Sequence, residues 1–297
     1  LNKRDTSRTL RAVSHGARES SQVPPPRGIL RAPRPDGLLD GRRILPSAGL
    51  APHVHHFWSV RWALRSPFAA ETLPHPSAQI MHLDEAGHVR AEIRGVHTGR
   101  VGRRLEGEGR IFGVTFRPVM FQPLLRASMA TLTDRVVPLA QVLGPRAEAW
   151  TRAVHAAEDV DEKVAITEAL LAPLLVPSSA ELARLRDLVQ RMAVDRSLRR
   201  VEDVSSASDL DTRALQRSFR TYVGVSPKWV IQRYRLHEAA AQLTSADPPT
   251  LAALAASLGY ADQAHFGRDF KRTIGQTPQS FGRAAVSGAR SRRSPAS

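Results

Sequence analysis

The chain of 297 residues contains no cysteine. That removes disulfides, thiolate metal sites, cysteine nucleophiles and methyl transfer onto a thiol in one step. Lysine is scarce too, confined to Lys3, Lys163, Lys228 and Lys271, so the basic side is almost entirely arginine. No run approaches the roughly 18 to 20 apolar residues that a membrane span needs. The longest candidate, Leu170 to Val176, is short and interrupted by Pro173, and no membrane crossing is expected. No Gly-x-Ser-x-Gly elbow and no glycine-rich phosphate loop occur, so the reading is of a protein that is not an enzyme. The first residues are rich in arginine, serine and proline and lack the apolar core of a secretory signal. With the missing cysteine, this fits a cytoplasmic protein.

What is present is a 42% apolar composition and a formal charge of +15. The first suffices for one large core or two ordinary ones. The second favours polyanionic partners, although a GC-rich coding sequence would also inflate arginine. Residues 1–36 and 284–297 have too little to bury and are expected to be disordered. From Gly37 to about Pro123 the texture is strand-like, with alternation in Trp58, Val60, Trp62 and Leu64 and again in Phe112, Val114 and Phe116. Ile80 to Leu83 and Val89 to Ile93 flank Asp84-Glu85-Ala86-Gly87, a hairpin connection. After Pro123 the period becomes helical, in Ala147 to Ala157, Glu162 to Leu175 and Ala180 to Ala193. The fold class is α+β, with a β-rich domain and helical extension over 37–177 and an all-α domain over 178–283.

The last third contains an internal repeat. Shifted by 51 residues, Val204 to Pro227 aligns with Ala255 to Pro278, with identities at Ser206/Ser257, Asp211/Asp262, Arg217/Arg268, Phe219/Phe270, Gly224/Gly275 and Pro227/Pro278. In each copy a short helix precedes a turn, and Asp211 or Asp262 is placed to cap the next helix. Leu215, Phe219 and Val223 form the buried stripe of that helix, as do Phe266, Phe270 and Ile274 in the second copy. The opposite face carries Arg213, Gln216, Arg217 and Arg220 in the first copy and Gln263, His265, Arg268, Lys271 and Arg272 in the second. Such a helix can enter the major groove, where arginine pairs with guanine and glutamine with adenine. Pro227 to Leu243 reads as a linker helix of about 25 Å at 1.5 Å per residue, suited to placing two such helices in successive grooves about 34 Å apart.

GYADQAHFGRDFKRTIGQTPQSF, from Gly259 to Phe281, resembles the signature of the AraC/XylS family of transcriptional regulators, and DTRALQRSFRTYVGVSPKWV resembles that family's first unit. The resemblance covers about Arg199 to Phe281. It implies a double helix-turn-helix, with Arg213, Gln216 and Arg217 reading bases from the first unit and Gln263, His265 and Arg268 from the second. Thr212, Arg220, Lys271 and Arg272 are the expected phosphate contacts. The family's first unit often has a glycine-aliphatic turn, where this chain has Ser208-Asp209-Leu210. The N-terminal half resembles a sensor-like domain found with this DNA-binding unit in actinobacterial regulators. That match rests on GLLDGRRILPSAGLAPHVHHFWSVRW, on LPHPS from Leu73 to Ser77 and on GVTFRPVMFQPLL from Gly113 to Leu125, and it implies no particular ligand.

The expected function is sequence-specific regulation of transcription, responsive to an effector through the N-terminal domain. The alternative is an architectural DNA-binding protein with no sensory ligand. Double-stranded DNA is the expected partner, and RNA polymerase, a small-molecule effector and a second copy of the chain remain open. No cofactor is expected. His53 and His55 share a strand face, with His75, His82 or His97 as a conceivable third metal ligand, but histidines near a strand end are usually surface residues. Trp58 and Trp62 are read as core rather than as the wall of an effector pocket.

Overall fold

The computed structural model describes residues 29–31, 35–175 and 179–290, with side chains for 35–175 and 179–284. Among the described residues the N-terminal part contains nine strands, all paired antiparallel: β1 (Ile29–Arg31), β2 (Gly37–Ile44), β3 (Val54–Leu64), β4 (Phe68–Thr72), β5 (Gln79–Glu85), β6 (His88–Arg94), β7 (Val101–Leu105), β8 (Glu108–Phe116) and β9 (Val136–Pro138). A six-stranded sheet runs in the order β2-β3-β8-β5-β6-β9, and a three-stranded sheet in the order β1-β4-β7. Ala86 and Gly87, at φ of 51° and 82°, make the tight turn between β5 and β6.

Alternation along the strands sends side chains to two different cores. One face of the large sheet buries Trp62, Leu64, Met81, Leu83 and Ile111 together with Phe68 and Leu105 of the small sheet. Trp62 belongs to this core, and Trp58 packs half-buried against it. Gly109 and Gly113 make room for these rings, since a Cβ at either position would collide with the Trp62 or Trp58 indole. The other face buries Phe57, Ile80, Val114 and Phe116 against a helical layer.

That layer contains α1 (Gln122–Leu125), a 3-10 turn at Met129–Leu132, α2 (Ala140–Leu143), α3 (Arg146–Ala156) and α4 (Val160–Leu171). Buried Trp150 of α3 donates through Nε1 to Thr167 Oγ1 of α4. Asp159 caps α4 by accepting from the backbone of Asp161 and Glu162. Lys163, 6% exposed, donates through Nζ to the carbonyls of Val154 and Ala157 at the end of α3. These are carbonyls that a helix C-terminus leaves without an internal partner, so one buried amine fixes the turn between the two helices.

The C-terminal part is helical: α5 (Ala180–Met192), α6 (Val201–Ser206), α7 (Thr212–Tyr222), α8 (Pro227–Leu243), α9 (Leu251–Ser257), α10 (Gln263–Ile274) and α11 (Pro278–Arg290). The helix pairs α6/α7 and α9/α10 are the two repeat copies, and α8 is the linker helix. Leu185, Leu188, Val189 and Met192 of α5 join the core of the first copy.

Short parts of the two ends expected to be disordered fall among the described residues, as strand and helix. Ile29–Arg31 pairs with β4, whose backbone offers an open edge to a short apolar segment, while residues 1–28 lie outside the described residues. Helix α11 continues to Arg290, past position 284. Alanine and arginine are strong helix formers, and a helix started by Thr277 and Pro278 meets no stop signal there. Residues 291–297, and the expected domain boundary at 177/178, also fall outside the described residues.

Candidate nucleic-acid interface

The sequence writes the helix starts of both copies with side-chain oxygens. Asp211 Oδ1 accepts from the Ala214 amide at 2.7 Å and Asp262 Oδ1 from the His265 amide at 2.6 Å. Each cap satisfies an amide that the first helical turn leaves free. Leu215, Phe219 and Val223 are fully buried, as are Phe266, Phe270 and Ile274. Burial of one stripe turns the opposite face of α7 and α10 outward. Arg213, Gln216, Arg217 and Arg220 of α7 are exposed, as are Gln263, His265, Arg268, Lys271 and Arg272 of α10. Thr212 is half-buried at the start of α7.

The turns differ. In the second copy Gly259 takes the left-handed conformation at φ of 75°, directly after the helix cap at Leu258. In the first copy the left-handed residue is Asp209, at φ of 55°, one position further along. Aspartate tolerates this region better than most side chains. The first turn is closed by Ser205 Oγ donating to Leu210 O at 2.5 Å and Ser208 Oγ donating to Ser205 O at 3.0 Å. The Ser208-Asp209-Leu210 departure therefore moves the bend by one residue while keeping a helix-turn-helix.

Residues 204–284 match the model of a helix-turn-helix domain family. They form an AraC-type helix-turn-helix domain. Residues 42–138 match a domain of unknown function, DUF6597. The chain thus carries a helix-turn-helix domain of AraC type behind a β-rich partner domain. Solved structures similar to it include a transcriptional regulator with an AraC-type DNA-binding domain from Chromobacterium violaceum (18% identity, 37% of this chain and 97% of that one, TM-score 0.33). A probable AraC family regulator from Rhodopseudomonas palustris is 25% identical over 34% of this chain and 96% of that one, at a TM-score of 0.31. ToxT from Vibrio cholerae is 9% identical over 84% of this chain and 98% of that one, at 0.40. With scores this low, the assignment rests on the domain match and the helix geometry. No curated protein matches the chain.

A set of contacts not read from the sequence ties the helix-turn-helix domain to the β-rich domain. Arg233 of α8, 2% exposed, donates from its guanidinium to Pro74 O at 3.2 Å and to Thr98 O. Burial pushes this guanidinium down to about 10, with Asp134 opposing the shift, and its carbon lies 4.3 Å from the Trp229 ring centre. His75 stacks on His237 at 3.9 Å between ring centres. Thr133 Oγ1 donates to Gly224 O at 2.6 Å and Ser128 Oγ to Arg220 O at 3.1 Å, which joins the 3-10 turn to the end of α7. Val96, Val119 and Met120 enter the core of the first unit, and Leu73 enters that of the second. The LPHPS stretch was the available signal, because two prolines around His75 stiffen a segment that supplies Leu73, Pro74 and His75.

The histidines form no metal centre among the described residues. His55 and His56 instead approach each other, Nδ1 to Nδ1, at 2.7 Å. Burial, ahead of nearby Arg43, holds His56 down to about 2. No helix among the described residues is long and apolar enough to cross a membrane.

Proposed function

We propose that the protein is a sequence-specific transcription regulator that lays α7 and α10 in adjacent major grooves of one DNA face, with the β-rich domain conveying a signal to that domain. In this reading residues 178–283 are the DNA-binding unit and 37–177 the sensing unit. Arg213, Gln216 and Arg217 read bases from the first unit, and Gln263, His265 and Arg268 from the second. Thr212, Arg220, Lys271 and Arg272 hold phosphates. The observation that carries it is the repeated pair of capped helices, each with an apolar stripe buried and an arginine- and glutamine-rich face left in solvent.

The grip of Pro74, Thr98, Ser128 and Thr133 on α7 and α8 supports the signalling part, because a change in the β-rich domain has a direct mechanical path to both units. An architectural protein would need no such path. The test is selection of bound sites from a random DNA pool by the full-length protein near physiological salt. Two enriched blocks about one helical turn apart are expected. A single block confines the reading to one unit, and no enrichment overturns it.

A further inference from the structure

The two helix-turn-helix units share α8 but not a core. Trp229, Val230, Ile231 and Tyr234 pack with the first unit, and Leu236, Ala239, Ala240 and Leu243 with the second. Among the described residues none belongs to both clusters. Each unit is therefore packed onto its own half of one helix, and Arg235 lies at the joint. A helix fixes how far apart two attached bodies stand, at about 1.5 Å per residue, but a bend at its middle changes how one leans on the other. Whatever spans the joint sets that lean. Apolar packing does not close it, because a gap of about 30 Å³ remains between the units, lined from both sides by Ile231, Tyr234 and Leu258 among others.

Arg235 is half-buried at that joint and touches both units. Its Nη2 donates to Arg199 O at 2.5 Å, and its guanidinium carbon lies 5.9 Å from the Tyr260 ring centre, within reach of a cation–π contact. Both partners are anchored. Asp203 Oδ2 of α6 accepts from the amides of Arg199 at 2.9 Å and Arg200 at 2.7 Å, so the carbonyl that Arg235 holds belongs to a fixed helix start. Tyr260 follows the left-handed Gly259 and is tied to α10 by its donation to Asp269, and its ring meets His265 edge-on at 5.4 Å. One guanidinium thus connects the first helix of one unit to the outward-facing helix of the other. Two further ties run beside it. Arg196 pairs with Glu238 of α8, and the Arg199 stem lies against Gly259, where an added Cβ would stand 3.0 Å from Cδ. Helix geometry separates this position from that of Arg233. Two residues turn an α-helix by about 200°, so Arg233 faces the β-rich domain while Arg235 faces the joint.

We propose that Arg235 is a positioning residue that fixes the lean of the second unit on the first and so sets how many base pairs separate the two blocks the protein prefers. Each base pair added or removed shifts the second block by about 3.4 Å and turns it by about 35°. A fixed lean therefore accepts one spacing, and a loose one accepts several. The consequence on DNA rests on the two-groove reading of α7 and α10, whereas the fixed lean does not.

Two measurements on the full-length protein test this. In the first, selection from a random DNA pool is run side by side on the unsubstituted protein and on Arg235→Met, which keeps the apolar stem and deletes the guanidinium, and the spacing between enriched blocks is counted. The unsubstituted protein should favour one spacing over its neighbours by about tenfold. Arg235→Met should lose that preference while each block keeps its sequence. Each protein is compared only with itself across spacings, so a general fall in affinity or stability cancels. In the second, nitroxide labels on Glu202→Cys of α6 and Ala252→Cys of α9 report the distance between the units without DNA by pulsed electron paramagnetic resonance, and no native thiol competes for the label. One narrow distance distribution is expected, and adding Arg235→Met should broaden it. Where Arg235→Met fails to fold cooperatively, Arg235→Lys, which keeps the charge and loses the planar fork, takes its place. A distance distribution of unchanged width, or a variant with the original spacing preference, overturns the proposal. If the distribution broadens but even the unsubstituted protein enriches no paired blocks, the fixed lean stands and the two-groove reading falls.

Discussion

The two helix-turn-helix units come from one repeated pattern but are held by different means. In the second unit Asp269, 5% exposed, accepts from Tyr260 Oη at 2.7 Å and pairs with Arg272, so the turn and the outer helix face are joined through one buried carboxylate. Burial, ahead of that hydrogen bond, raises the Tyr260 phenol and keeps it a donor. The first unit has Asp209, Ser218 and Thr221 at the matching positions and cannot form this link. It is fastened from outside, through the 3-10 turn at Met129–Leu132 and the Val119-Met120 contact. The second unit is largely self-supporting, whereas the first borrows its rigidity from the β-rich domain. A signal in that domain should therefore reach the first unit first.

The largest test of this comparison is to hollow each unit in turn. Phe219→Ala and Phe266→Ala each remove a fully buried ring and should cost about 3 to 5 kcal/mol. If the units are held as described, chemical denaturation of Phe219→Ala should also loosen the β-rich domain, while Phe266→Ala should melt locally. Equal spread of the two effects would break the comparison. Next, Asp269→Ala strands the Tyr260 hydroxyl and frees Arg272, at a cost of about 2 to 3 kcal/mol for a charged hydrogen-bonding centre. No counterpart substitution at Ser218 should exceed about 0.5 kcal/mol, which equilibrium unfolding would check.

Arg217→Ala and Arg268→Ala occupy matching places and should each weaken DNA binding by about 1 to 3 kcal/mol at particular base positions. Titration against a panel of single-base variants separates that outcome from a uniform loss, which would mark the residue as a phosphate contact. Thr133→Val removes the hydroxyl that donates to Gly224 O and should cost about 1 kcal/mol. Its effect on sequence preference should fall on the first block alone.

The parts of this picture legible in the sequence are those written at short range. Asp211 and Asp262 announce helix starts three residues before the amides they cap, and the Phe219 and Phe270 stripes announce which faces are buried. Pro227 and Leu243 bound the linker helix as read. The Arg233 contacts between the domains were not legible, because its guanidinium meets carbonyls 159 and 135 residues away in sequence, and nothing near it marks a buried guanidinium. The approach of Arg61 and His82 on the large sheet was equally hidden. Alternation shows that Arg61 and His82 each leave the Trp62 core, but only the pairing of β3 with β8 and of β8 with β5 puts them on adjoining rungs. Tyr260 and Asp269 are nine residues apart, and neither departs from an ordinary helix-turn-helix composition.

The smallest expected effect bears on the turns themselves. Asp209 holds a left-handed backbone at φ of 55°, which costs a residue with a Cβ about 1 kcal/mol. Asp209→Gly relieves that strain but adds freedom to the unfolded chain worth about 0.4 to 1 kcal/mol, so the net gain should not exceed about 0.5 kcal/mol. Gly259→Asp gains the unfolded-state term but meets the same backbone strain at φ of 75°, with Arg199 Cδ 3.0 Å from the added Cβ. The flexible arginine stem can move, so the change should cost less than about 1 kcal/mol. Thermal melting of both variants measures the sum. If Asp209→Gly instead destabilises by more than about 1 kcal/mol, the aspartate makes a contribution beyond its backbone, and the first turn is then as actively held as the second.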